Sequence, residues 1–171
     1  TILSSTDYLT KLYNRKETDD HLLNCESLNK RYQDVFSVII LDIDNFKKVN
    51  DTHGHLTGDK VLVELGQILT SHTREVDKVG RWGGEEFIIA CPKTHQSDAL
   101  TMAENLRIRV EQHSFSVVGR ITASFGVAQR SESESAGASN NSAPATAKRV
   151  DSTTVSARRY SRTPTLASNV R

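Results

Sequence analysis

The stretch Arg81-Trp82-Gly83-Gly84-Glu85-Glu86-Phe87 constrains the fold of this chain more than any other. Val76-Asp77-Lys78-Val79-Gly80 precedes it, and Phe87-Ile88-Ile89-Ala90-Cys91 closes it. Two β-prone runs around a Gly-Gly pair predict a hairpin, because glycine reaches the φ > 0 conformations a tight turn needs. Two carboxylates follow the glycines at once. Residues without side chains let a bulky anionic ligand approach the backbone, and adjacent carboxylates can hold a divalent cation. Taken alone, an ordinary hairpin with a polar tip accounts for the stretch equally well.

The remaining pattern places that hairpin in a mixed fold. Thr6 to Arg15 reads as a structured N-terminal segment that docks Leu9 and Leu12. Leu22, Leu23 and Leu28 predict an amphipathic helix from Lys16 to about Tyr32. Val35 to Ile43 is nearly all apolar and rich in β-branched residues, the pattern of a strand covered on both faces. It ends abruptly in Asp42-Ile43-Asp44-Asn45-Phe46-Lys47-Lys48-Val49-Asn50-Asp51, where a short helix and a loop at Thr52-His53-Gly54-His55 are expected. Gly58-Asp59 then opens a helix carrying Val61, Leu62, Leu65, Ile68 and Leu69. Ser97-Asp98 caps another, with Leu100, Ala103, Leu106 and Val110 on one face. Ile121 to Ala128 alternates as a further strand. Helices inserted among hairpin-linked strands point to an α+β fold, an antiparallel sheet covered by helices.

With 171 residues the chain has room for one domain with a real core. A formal charge of +1 gives no reason to expect a nucleic-acid or membrane-surface partner. No apolar run is long enough to span a bilayer, and no signal peptide opens the chain, so the cytoplasm is the expected compartment. Cys25 and Cys91 lack metal-ligand spacing and are expected to be reduced packing residues. The absence of an initiator Met suggests a domain cut from a larger protein. Beyond residue 130 the composition shifts to Ser, Ala, Thr and Arg, with no sustained period. Residues 131–171 therefore read as a flexible or divergent tail, with a weak strand near Thr153–Val155.

Several polar residues invite chemistry. Asp42, at the end of an apolar strand, would be costly to bury unless a cation or donors surround it. If the hairpin lies beside that strand, Asp42 and Glu85 can share Mg²⁺, which takes one or two carboxylates and leaves sites for waters and phosphates. A cap on the following helix is the competing role for Asp42 or Asp44. Lys47 can meet a phosphate as a point charge, or stand solvated. Asn50 and Asp59 have the donors and acceptors for a purine edge, although turn chemistry fits them too. His53 and His55 have no third ligand and read as structural. Arg74 and Asp77 form either an exposed ion pair or a grip on an anionic nucleotide.

Together and in order, these stretches resemble the GGDEF domains of bacterial diguanylate cyclases. Asp7 to Arg15 is similar to the family's D-x-L-T-x-L-x-N-R motif. Asp42-Ile43-Asp44-Asn45-Phe46-Lys47, Asn50-Asp51, Gly54-His55 and Gly58-Asp59 resemble its metal and base-binding block. Gly83-Gly84-Glu85-Glu86-Phe87 matches the GGEEF form of the naming motif, and Ser124-Phe125-Gly126-Val127-Ala128 resembles its S-I-G-V-A strand, with Phe for Ile.

The resemblance, which covers about Thr6 to Gln129 within a domain at 1–130, implies a nucleotidyl-cyclase palm with a ferredoxin-like sheet. It implies two GTP molecules, one per subunit of an antiparallel homodimer, condensing to cyclic di-GMP and two pyrophosphates. By family role, Asp42, Glu85 and the Ile43 carbonyl hold Mg²⁺ (Mn²⁺ as the alternative), and Glu86 supports the turn or a second metal. Catalysis is thus assigned to Asp42, Glu85 and Glu86. Asn50 and Asp59 read the guanine, Phe46 and Lys47 face the phosphates, and Gly83 and Gly84 give the nucleotide room. Arg74-Glu75-Val76-Asp77 matches the family's R-x-x-D site for feedback inhibition by cyclic di-GMP. The family's usual ending carries a Lys and an Arg that clamp the triphosphate, and no residue here is assigned to either. A catalytically impaired domain that acts as a receptor for GTP or cyclic di-GMP is the alternative reading.

Overall fold

The apolar run beginning at Val35 forms a strand inside the sheet. In the computed structural model, which describes residues 4–130, β1 spans Phe36–Ile43 and pairs antiparallel with two neighbours. Those neighbours are β3, Glu86–Pro92, and β4, Ala123–Arg130. The other arm of the hairpin, β2 at Lys78–Gly83, extends the sheet to the order β2-β3-β1-β4, antiparallel throughout. The helices are α1 (Arg15–Tyr32), α2 (Phe46–His53), α3 (His55–Ser71) and α4 (Gln96–Gln112). The α+β architecture and its element order are those the sequence predicts.

Strand alternation divides the apolar residues between two faces. Ile39, Leu41 and Ile43 join Phe87, Ile89, Phe125 and Val127 under Val61, Leu65 and Leu69 of α3 and Ala103, Leu106 and Val110 of α4. The opposite face is thinner, with Phe36 and Ala90 packed against Leu22 and Cys25 of α1. Ile40 stays 41% exposed on that side. The expectation of a strand covered on both faces therefore fails toward the Asp42 end, among the described residues. The β1 sequence is apolar enough for two covers, but α1 packs mainly over β2 and β3.

The N-terminal segment docks as expected, with Leu12 buried and Leu9 partly buried in the main core. Its backbone also covers the free edge of β2. Tyr13 N donates to the Val79 carbonyl at 3.2 Å, and Arg81 N donates to the Tyr13 carbonyl at 2.9 Å. Asn14 then starts α1, its side chain accepting from Glu17 N at 2.9 Å.

Local expectations need correction at several helix ends. The loop expected at Thr52–His55 shrinks to Gly54, whose φ of +84° lets α2 end and α3 begin almost without a break. Gly58 and Asp59 consequently lie inside α3 and do not open it. Neither Asp42 nor Asp44 caps α2: its N-cap is Asn45, in the left-handed region at φ 56°, with no side-chain cap bond. Helix α4 is capped at His95, not at Ser97-Asp98. The Gln129 side chain supplies the acceptor there, 2.5 Å from Gln96 N. Cys25 and Cys91 are both buried and free, as expected. The tail at 131–171 and the strand near Thr153–Val155 lie outside the described residues.

Candidate active site

The hairpin puts its turn at Gly84-Glu85, one residue later than the Gly-Gly pair suggests. Strand β2 runs to Gly83, which pairs with Glu86, and a register shift between Arg81 and Gly83 bulges Trp82. Gly84 takes φ +45°, a conformation the turn requires and glycine supplies. A Cβ placed on Gly83 or Gly84 would meet nothing within 4 Å, so the approach to both is open.

A single guanidinium braces this turn. Arg81 Nε and Nη2 donate to the Gly84 carbonyl at 3.0 and 2.8 Å. Its Nη1 reaches the Asp7 carboxylate at 3.3 and 3.4 Å. Asp7 is fixed in turn by the amide and hydroxyl of Thr10, at 2.8 and 2.7 Å. Partial burial opposes the Asp7 charge, but the Thr10 bonds and Arg81 outweigh it and hold the carboxyl below its usual value. Beside this brace, the Arg15 guanidinium lies 4.7 Å over the Trp82 ring. The sequence pattern assigns Arg81 no role; its only signal is its place just before the glycines.

Sheet register brings the carboxylates to one end. Asp42 stands directly opposite Glu86 on β3 and opposite Ser124 on β4. Glu85 occupies the turn just before Glu86. Asp42 is solvent-accessible, at the end of the strand expected to be covered on both faces. Even so, the packed strand ends remove enough water to raise its carboxyl above the usual value. Repulsion from Glu85, Glu86 and Asp44 adds to that rise, and the Ile43 amide opposes it. Like charges held opposite one another destabilise a sheet. A divalent cation would relieve the crowding, and an all-oxygen donor set suits Mg²⁺. Asp42, Glu85 and the Ile43 carbonyl thus fit that ion chemically. Among the described residues no group of three or more His, Cys, Asp or Glu side chains is gathered as a metal site.

Asp44 points elsewhere. Its Oδ2 accepts from Thr122 Oγ1 at 2.7 Å and its Oδ1 from Ser124 Oγ at 2.6 Å. Its amide donates to the Thr122 carbonyl at 2.9 Å. These contacts join residues 78 and 80 positions apart and leave no local signal in the sequence.

Asn50 and Asp59, expected to flank a loop, sit on the adjoining helices α2 and α3. The Asn50 Oδ1 is buried and has no hydrogen-bond partner. It lies so close to Gly58 that a Cβ there would collide with it, and would also crowd Phe46 Cζ at 3.2 Å. A buried oxygen without a partner, set against Gly58, calls for a donor that the described residues do not supply. The Phe46 side chain is buried in the core, so of Phe46 only the backbone can face a phosphate. Lys47 is exposed, and so are His53 and His55.

Arg74 and Asp77 stand apart, before β2 begins. The turn is at the other end of that strand, about 20 Å away at the usual rise per residue. The expectation of an exposed ion pair is half right: the Asp77 side chain is 0% exposed and that of Arg74 50%. Arg74 donates to both Asp77 oxygens at 3.1 and 2.8 Å and to Thr94 Oγ1 at 2.6 Å. The Asp77 bonds raise the proton affinity of the guanidinium against its partial burial. Asp77 is committed to holding Arg74, which presents its outer face to solvent.

Known proteins resemble this chain in sequence and in fold. The family model described as "Diguanylate cyclase, GGDEF domain" matches residues 4–158, beyond the stretch recognisable by motif. Diguanylate cyclase DgcM of Escherichia coli (strain K12) is 44% identical over 100 residues, covering 58% of this chain and 24% of that protein. The chain thus spans about a quarter of the length of that curated relative. The GGDEF domain of DgcB from Caulobacter crescentus, solved in complex with c-di-GMP, superposes with a TM-score of 0.72 at 33% identity. That match covers 76% of this chain and 80% of that one. The active GGEEF domain of a diguanylate cyclase from Vibrio cholerae gives 0.66 at 36% identity, covering 70% of this chain and 77% of that one. The chain belongs to the GGDEF-domain family of diguanylate cyclases.

Proposed function

We propose that this domain condenses two GTP molecules to cyclic di-GMP, releasing two pyrophosphates. The observation that carries the reading is the sheet register, which sets Asp42 opposite Glu86, the residue that follows the open Gly84-Glu85 turn. In each of two equivalent steps, the 3′-hydroxyl of one GTP gives up its proton, with Glu85 the candidate base among the chain's own residues, and attacks the α-phosphorus of the other. The bond from that phosphorus to the pyrophosphate breaks. Positioning and charge neutralisation supply most of the catalysis in such transfers. A bound Mg²⁺, or Mn²⁺ in its place, would neutralise phosphate charge beside the attacking and leaving oxygens.

The chain's own residues do the rest. Asp42, Glu85 and the Ile43 carbonyl would hold the cation, and Glu86 supports the turn. Gly83 and Gly84 leave the nucleotide room against the backbone. Asn50 and Asp59 read the guanine edge. The exposed Lys47 and the first amides of α2, which have no acceptor within their own helix, bind phosphate oxygens. Each chain carries one such set, so condensing two GTP calls for two chains, an antiparallel homodimer with the sites facing.

Arg74, pre-oriented by Asp77 and Thr94, supports a separate product site through which cyclic di-GMP inhibits its own synthesis. The same pre-orientation favours a second reading, a receptor that binds cyclic di-GMP without turning GTP over. Incubation with GTP and Mg²⁺ beside Glu85→Ala decides between the two. Cyclic di-GMP formed by the parent and lost in the variant supports the cyclase. Cyclic di-GMP binding without any product supports the receptor, and undiminished turnover in Glu85→Ala overturns the metal assignment.

A further inference from the structure

Asp44 is a carboxylate that neither the catalytic nor the metal reading uses. Strand alternation would place it on the same face as Asp42, two residues earlier, and so beside the same cation. Its geometry turns it toward β4 instead. Each of its oxygens accepts from a hydroxyl of β4 or of the residues leading into it, Thr122 at 2.7 Å and Ser124 at 2.6 Å. Such short bonds from hydroxyl to carboxylate are the strong, charge-assisted kind. Ser124 is the cross-strand partner of Asp42, yet its hydroxyl donates to Asp44. The Asp44 amide adds a third tie, donating to the Thr122 carbonyl at 2.9 Å.

These ties fix a sharp turn. Immediately after Asp44 the chain passes through Asn45 at φ 56°, in the left-handed region that Asn adopts more readily than other residues with side chains. Helix α2 begins at the next residue. The Ile43 carbonyl, the Phe46 and Lys47 amides and the Lys47 side chain all hang on the placement of this turn.

We infer that Asp44 is a positioning residue: clamped by Thr122 and Ser124, it docks the β1–α2 turn on β4 and keeps its carboxylate turned to β4 instead of joining the cation ligands at Asp42. The role in catalysis rests on the cyclase reading; the docking of the turn does not.

The test compares the parent with Thr122→Val/Ser124→Ala, with Asp44→Ala, and with the hydroxyl-conserving Thr122→Ser. In metal-free protein, exchange of the amide at position 44 is expected to rise about tenfold or more in the first two variants. Thr122→Ser should keep the parent's protection. With GTP present, the Mg²⁺ concentration that half-saturates the thermal shift should move several-fold in the same two variants and not in Thr122→Ser. A merely structural contact would lower the melting temperature and leave that midpoint in place.

Unchanged Asp44 exchange and an unchanged Mg²⁺ midpoint in the double variant overturn the inference. If the double variant does not fold, Ser124→Ala alone is measured by the same two readouts, and no change in either overturns the inference in the same way. A parent that forms no cyclic dinucleotide and shows no Mg²⁺-dependent GTP shift overturns the proposed function instead, and amide exchange then decides the docking alone.

Discussion

Arg81 grips the carbonyl of Gly84 with two of its nitrogens, at 3.0 and 2.8 Å, while its third reaches Asp7. The turn that carries Glu85 is thereby tied to a segment 74 residues earlier in the chain. Replacing Arg81 with Ala should lower cyclic di-GMP formation by about tenfold to a hundredfold, because small misplacements of reacting groups are that costly. Stability should fall by about 1–3 kcal/mol, the cost of leaving the partner groups unpaired. Arg81→Lys should not rescue turnover, since an ammonium lacks the planar fork. Initial rates and urea unfolding check both; full activity in Arg81→Ala would remove the brace from the mechanism.

Asp7 makes a pH prediction. Its carboxyl is held below 3.8, the ordinary value, so it titrates at lower pH folded than unfolded. Its stabilisation is therefore fully present above about 3.8 and is lost as pH falls through the depressed folded value. Asp7→Asn should be less stable than the parent at neutral pH by about 1–3 kcal/mol, with the gap closing as the solution is acidified. Parallel melting curves between neutral and acid pH measure this. A gap that stays constant across that range contradicts it.

Gly58→Ala sets two effects against each other. In a helix interior the change should gain up to about 1 kcal/mol in propensity. Here the new methyl would strike Asn50 Oδ1 and crowd Phe46. Overpacking of this kind costs about 1–3 kcal/mol, so net destabilisation is expected. Displacement of Asn50 should also raise KM for GTP more than it lowers kcat. An unaltered KM would show that Asn50 does not read the base.

Arg74→Ala should relieve inhibition by cyclic di-GMP and also weaken the fold. The second effect follows because the Asp77 side chain is fully buried and would lose the guanidinium that neutralises it. A cost on the order of 3 kcal/mol is expected, and Arg74→Ala/Asp77→Leu should recover part of it. Thermal unfolding of the two variants, with inhibition curves beside them, makes the check. Equal stability of Arg74→Ala and the parent would mean that solvent reaches Asp77.

Much of this architecture is legible in the order of the residues. The apolar run at β1, the two β-prone arms around Gly83-Gly84 and the helical spacing of Val61, Leu65 and Leu69 predict the α+β class and its element order. The motifs point to Asp42, Asn50, Asp59, Glu85 and Glu86. Element ends are less legible. Gly58-Asp59 looks like a helix start, but Gly54 already provides the break and α3 simply runs through Gly58.

What the sequence determined by itself is local: periodicity, turn chemistry, and which side chains can bear charge. These depend on residues within a few positions of one another, and the chain order records them. Tertiary structure alone decided that Glu86 faces Asp42, that Asp44 is held by Thr122 and Ser124, that Asp77 is buried under Arg74, and that Arg81 links Asp7 to the turn. Each of these follows from strand register or from packing across the sheet. Pairing there depends on side-chain burial summed over whole strands, which no short motif encodes.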